Sequence, residues 1–242
     1  MRAGCTRLLL MAVLLQPALL GAQDNGLGSW NIVQARYKAS ERWTVFAEAQ
    51  LRSLRFYDDF HYHEVKGGAE WRTRHGLRLA LGVGKYDTYR EGGDFVRPKK
   101  SDEVRLWPQL ILVQQVGRFK VEQRYRMEAR FQASGYRNRF RYRLGLLLPL
   151  GPVADGERPW AVGASNEIFF TDREPYFERN RLLFHINRRL TPAISAQVGY
   201  LHQFDYRIND ETGRDFLVLG FYFDLRREGD AKGGDAPASN GD

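Results

Sequence analysis

Between Phe119 and Leu148 apolar and charged residues alternate almost without a break, and that alternation constrains the fold more than any other feature of the chain. Phe119, Val121, Tyr125, Met127, Ala129 and Phe131 fall in one phase; Lys120, Glu122, Arg124, Arg126, Glu128 and Arg130 fall in the other. After a polar turn, Gln132 to Asn138, the pattern resumes with Phe140, Tyr142, Leu144, Leu146 and Leu148 against Arg139, Arg141 and Arg143. A period of two puts successive side chains on opposite faces of an extended strand. Each run is about ten residues or longer, the length a tilted strand needs to cross a bilayer.

The same pattern recurs along the chain. Trp43, Val45, Ala47, Ala49 and Leu51 oppose Thr44, Glu48, Gln50 and Arg52; His63, Val65, Ala69 and Trp71 oppose Tyr62, Glu64, Lys66, Glu70 and Arg72. Leu77, Leu79, Leu81 and Val83 oppose Arg78, Ala80, Gly82 and Gly84, and Val104, Leu106, Pro108, Leu110 and Leu112 oppose Glu103, Arg105, Trp107 and Gln109. Further strands are expected at 29–38, 160–170, 176–189, 194–203 and 216–225. Pro108 lacks a donor for a ladder, which predicts a bulge there. Ser53 to Phe60 and Thr88 to Ser101 read as long loops, Thr73 to Gly76 and Val116 to Arg118 as tight turns, so connections alternate short and long. Eleven segments emerge. Single-chain bacterial barrels normally have an even number of strands, so ten or twelve are expected. The expected fold is all-β: a closed, antiparallel, up-and-down transmembrane β-barrel of 10–12 strands with a charged lumen, because an open sheet edge in lipid leaves backbone groups unpaired.

The N-terminus points to the same compartment. Arg2 and Arg7 precede an apolar run, Leu8 to Leu20, followed by Gly21-Ala22-Gln23, which reads as a signal peptide cleaved after Ala22. Residues 23–226 would form the barrel and 227–242, rich in Gly, Ala, Asp and Ser, a disordered tail. The single cysteine, Cys5, falls within the leader, which excludes disulfides and cysteine metal sites from the mature chain. A mean hydropathy of −0.51 excludes a bundle of membrane helices but not a barrel, whose inward residues are polar. The formal charge of +8 raises nucleic acid as a partner, but arginines spaced along strands among acidic residues do not make a contiguous basic surface, so no nucleic-acid role is expected. Location in the bacterial outer membrane, contact with its lipids, and recognition of the Phe221-Tyr222-Phe223 ending by barrel-assembly machinery are the expectations that remain.

Several short motifs, in order, carry a resemblance. Trp30, the run Glu48-Ala49-Gln50-Leu51-Arg52, Glu103-Val104-Arg105-Leu106-Trp107-Pro108-Gln109, the Arg124 to Arg130 run with its Glu128, Arg139-Phe140-Arg141-Tyr142-Arg143, Asn166-Glu167 and Arg179-Asn180-Arg181 are similar to the domain-of-unknown-function 2490 family of bacterial envelope proteins. The resemblance covers nearly the whole mature chain. It implies an outer-membrane-type barrel and brings no established activity and no catalytic residues.

The polar strand faces are expected to meet in a narrow lumen. Glu48, Arg52, Glu64, Glu70, Glu103, Arg105, Glu122, Arg124, Arg126, Glu128, Arg130, Arg139, Arg141, Arg143, Glu167, Arg179 and Arg181 would form its network. Arginine suits a salt-bridged core because its planar fork binds carboxylates in pairs and keeps its charge. A charged constriction selecting anions is the other use of such a lumen, although a barrel of this size is mostly filled by side chains. An enzyme, such as a lipid-modifying barrel, is the alternative. His61 and His63 share a phase beside Asp58 and Asp59, but His75, His185 and His202 stand apart and no serine has a convincing spacing for a nucleophile. No catalytic residue, metal site or cofactor is therefore expected, and a small-molecule ligand is not specified. The arginines Arg124, Arg126, Arg141 and Arg143 should face inward against glutamates, and Tyr125, Met127, Tyr142 and Leu144 should face lipid.

Overall fold

The computed structural model describes residues 26–153, 158–206 and 212–226, so the expected leader and the C-terminal tail lie outside the described residues. The described chain is all strand and turn. Eleven strands follow in order: β1 (Leu27–Lys38), β2 (Trp43–Arg55), β3 (Asp58–Arg72), β4 (Arg78–Arg90), β5 (Val96–Val116), β6 (Phe119–Gln132), β7 (Gly135–Leu150), β8 (Trp160–Thr171), β9 (Phe177–Thr191), β10 (Ile194–Asp205) and β11 (Thr212–Arg226). Each pairs with its sequence neighbours, and β1 meets β11 to close the barrel. Among the described residues no helix is long and apolar enough to cross a membrane.

Closure corrects two expectations. The strand number is eleven, not ten or twelve, and the wall is not antiparallel throughout. With an odd number of up-and-down strands the first and last must run the same way, and β1 pairs with β11 in parallel from Leu27↔Asp215 to Lys38↔Arg226. The seam still supplies twelve aligned residue pairs, so no strand edge is left open.

The long loops expected at 53–60 and 88–101 are mostly strand. β2 runs to Arg55 and β3 begins at Asp58, leaving a two-residue turn; β4 and β5 leave only residues 91–95 between them. The register shifts between Arg52 and Ser53 and between Thr88 and Arg90, and such bulges interrupt the period-two pattern that would have shown the strands continuing. Connections are consequently of similar length at the two ends, without the expected alternation. Pro108 makes no bulge. The register of β5 with β6 is the same at Leu106↔Ala129 and Gln109↔Arg126, and Pro108 pairs in phase with Leu81 of β4. The ladder toward β6 skips residues 107 and 108 and resumes without the extra residue a bulge requires.

The faces sort by polarity in the sense opposite to a water-soluble barrel. Val33, Val45, Val65, Leu81, Val83, Met127, Phe140, Phe184, Ile186, Val198 and Phe221 are exposed on the outside. Most charged residues of the same strands are buried inside. The interior has two sectors. Strands β2 to β8 supply most of the buried charges, whereas β9, β10, β11 and β1, which also carry Arg179, Arg181, Asp205 and Arg36, contribute an apolar cluster of Trp30, Ile32, Leu183, Leu201, Phe216, Val218 and Tyr222.

Candidate functional site: the charged interior and its cavity

All four hairpin arginines, Arg124, Arg126, Arg141 and Arg143, are buried, while Tyr125 and Met127 are exposed and Tyr142 and Leu144 half-buried on the outer face. Their glutamate partners do not lie directly opposite. The β6–β7 register sets Arg124 against Arg143 and Arg126 against Arg141. Like charges face to face are unfavourable, and carboxylates from neighbouring positions and strands resolve the conflict. Glu128 accepts from Arg139 Nε at 2.8 Å and from Arg141 Nη1 at 2.7 Å, with Arg126 Nη1 at 3.7 Å and Arg105 Nη1 at 3.9 Å. Glu167, on β8, accepts from Arg124 Nη2 at 2.6 Å and from Arg141 Nε and Nη2 at 2.9 and 3.0 Å. Glu122 accepts from Arg143 Nη2 at 2.7 Å and from Arg78 Nη2 at 2.9 Å.

Two further groups extend the network. Glu103 binds Arg105 Nη2 and Arg130 Nη2, each at 2.6 Å. On the other side Lys66 Nζ bridges Glu48 at 2.8 Å and Glu64 at 2.9 Å, and Arg52 reaches Glu64 at 3.2 Å. Glu70 holds Arg36 at 3.0 Å and lies 3.6 Å from Arg78. Arg179 is less buried than the rest and pairs with Asp205. Arg181, the last of the expected network, is buried but joins no carboxylate among the described residues.

Aromatic rings separate the crowded guanidinium groups. Arg52 lies 3.4 Å over Trp30 and 4.1 Å over Tyr62, Arg126 4.1 Å over Trp107, Arg105 3.8 Å over Tyr86 and Arg141 4.6 Å over Phe169. Stacking on a ring face stabilises a cation that has little water around it. The sequence reading put Tyr62 and Trp107 in the charged phase but gave these rings no part in the network, and missed Phe169, Glu178 and Lys66 as partners. Phe169 follows Glu167 by two residues, so its phase was a usable signal.

The network encloses a cavity of about 280 Å³ toward the mouth where β1 begins. Arg52, Arg105, Arg130, Arg139, Arg141, Arg179, Arg181, Arg214 and Lys100 line it, together with Glu64, Glu91, Glu103, Glu178 and Asp205. Tyr62, Tyr86, Tyr89 and His61 complete the wall. At the rim Arg214 Nη2 donates to Glu91 Oε1 at 2.5 Å, and that hydrogen bond holds the Glu91 carboxyl below its ordinary range. Below the cavity the side chains are closely covered: Arg124, Arg143, Gln197 and Tyr222 are each nearly inaccessible.

The two histidines singled out beside the acidic turn do not converge. His61 lines the cavity, and its buried Nδ1 has no hydrogen-bond partner among the described residues. His63 lies instead beside Tyr89 Oη at 3.2 Å and Asp87 Oδ2 at 3.8 Å, packed against Phe95. The bulge opposite Arg52 and Ser53 separates them by breaking the phase between residues 60 and 62. Asp59 accepts from the amides of Gly92 and Gly93 at 3.1–3.2 Å and so ties two turns together rather than serving a histidine. Among the described residues no group of three or more His, Cys, Asp or Glu is placed to hold a metal ion.

The family model for DUF2490, described as a protein of unknown function, matches residues 27–214. The chain belongs to that family. The match runs from the first residue of β1 into β11, so nearly the whole DUF2490 barrel, charged interior included, falls within it. A search of curated proteins finds no match.

Proposed function

We propose that this DUF2490 protein is a transmembrane barrel of the bacterial outer membrane whose interior is a structural plug, so that it serves the envelope as a closed wall element and not as a freely conducting pore. The observation that carries this reading is the inverted polarity of the strands, with apolar side chains outward and ion pairs inward. A surface of this kind in water would be a continuous apolar patch far beyond what a soluble monomer exposes; in lipid it is the expected lining. The strands, each of twelve residues or more, are long enough to span. The leader-like start of the chain and the aromatic ending at Phe221 to Phe223 support delivery to that membrane and insertion by its assembly machinery.

The plug follows from burial. Glu128 is 0 % exposed and Arg143 2 %. A water-filled passage would leave such side chains wet. Purified protein in planar bilayers is therefore expected to give no regular conductance steps, while the protein in isolated outer-membrane fractions should resist extraction by high salt. Regular steps at low protein load would overturn the plug, and release by salt would overturn the membrane assignment. The lipid-enzyme reading loses its sequence basis, since His61 and His63 do not share a site.

A further inference from the structure

We propose that the cavity at the mouth where β1 begins is a binding site for small solutes carrying carboxylate or phosphate groups, with Arg181 as its principal ligand-binding residue. The reasoning starts from Arg181 itself. It is 6 % exposed, yet among the described residues its one side-chain hydrogen bond runs from Nε to Gln203 Oε1 at 2.9 Å. Its cross-strand neighbour Glu167 turns away to Arg124 and Arg141. A guanidinium carries five donors, so four remain for whatever occupies the cavity. Trp30 and Phe169 flank the group, with ring centroids 4.7 and 4.8 Å from its central carbon, which fixes the plane of the fork.

An isolated buried charge is expensive unless it is paired. Every other arginine lining the cavity has a carboxylate within ion-pair range. Arg181 is thus the exception in a network that otherwise matches charge to charge. Among the described residues the cavity wall holds nine cationic side chains against five carboxylates, and two more carboxylates, Glu128 and Glu167, serve the cavity's arginines from outside its lining. A positive surplus persists on either count. An oxyanion accepting the free edge of Arg181 would supply the missing charge through a paired, charge-assisted contact. The cavity volume of about 280 Å³ limits the ligand to a compact molecule, just under the roughly 300–1,000 Å³ usual for ligand pockets. The inference depends on the barrel interior and not on where the barrel resides.

The test uses the full mature protein folded in detergent micelles, with its β-rich circular dichroism as the check on folding. Citrate and, in parallel, inorganic phosphate are titrated by calorimetry in a zwitterionic buffer of low ionic strength. Saturable single-site binding of either probe is expected, and the tighter one identifies carboxylate or phosphate as the preferred group. In Arg181→Gln the affinity should fall about tenfold or more, the loss expected for one charge-assisted contact. Gln removes a buried charge that has no carboxylate partner among the described residues, so this variant is expected to fold; Arg181→Lys should retain part of the affinity. Arg188→Gln, which alters an exposed side chain over Trp160, should bind as the parent does. Absence of saturable binding by either probe, or equal affinity in the folded Arg181→Gln variant, overturns the proposal.

Discussion

At the scale of single residues, the interior is sensitive to charge and volume in different ways. Glu128 accepts from two guanidinium groups and has two more within 4 Å, in a place with no access to water. Glu128→Gln keeps the shape and removes the charge, leaving Arg139 short of its main partner and Arg141 with the carboxylate of Glu167 alone. Breaking one side of a buried pair costs about 3–5 kcal/mol, and a fall of that size is expected in urea unfolding of the refolded barrel. Glu91→Gln removes a rim pair in which the carboxylate side chain is 53 % exposed; such a pair contributes about 0–1 kcal/mol, so the same measurement should barely move. Volume matters at Gly82, where a Cβ would sit 2.2 Å from Cζ2 of Trp107. Trp107 is 1 % exposed and cannot swing into solvent. Gly82→Val should therefore destabilise by about 1–3 kcal/mol, read by the same unfolding curve, with the Arg126 stacking on Trp107 disturbed as well.

At the scale of elements, strands were legible wherever the period of two ran unbroken, as in β6 and β7, and their faces follow directly from it. Three things were not legible. Bulges at Arg52/Ser53 and Thr88/Arg90 shift the phase by one, so the strand ends beyond them read as loop. Pairing register was hidden as well: alternation puts Arg124 and Arg143 inside but does not say that they face one another, nor that Glu167 on the next strand neutralises Arg124. The parity of the barrel was hidden because the pairing of β1 with β11 joins residues nearly two hundred positions apart and leaves no local mark. The seam can be tested directly. Val33 and Phe221 are aligned partners on the outer face of β1 and β11, and the sole cysteine of the chain, Cys5, precedes β1. Val33→Cys with Phe221→Cys should cross-link under mild oxidation. Val33→Cys with Leu219→Cys, two residues out of register, should not, because side chains two steps apart exceed disulfide reach. Equal cross-linking in both would mean that the seam slides.

At the scale of the whole molecule, the apolar sector near the seam and the ionic sector opposite give the barrel two unlike halves under one outer surface. The ionic half was legible in the alternating arginines; the apolar half was not, because Trp30, Leu183 and Phe216 share strands with polar residues and only closure shows which of them meet. The odd number of strands has its own result at this scale. Since β1 and β11 run in parallel, Leu27 stands at one mouth and Arg226 at the other. In a spanning barrel the wall then separates the chain's two ends. An epitope placed just ahead of β1 and another just after β11 should be cleaved by protease from opposite sides of sealed vesicles, one before and one only after permeabilisation. Cleavage of both from one side would contradict the parallel closure. If the separation holds, a single copy of this protein presents one sequence address to each of the two compartments that the membrane divides, an arrangement that an even-stranded wall, with both ends at one mouth, does not provide.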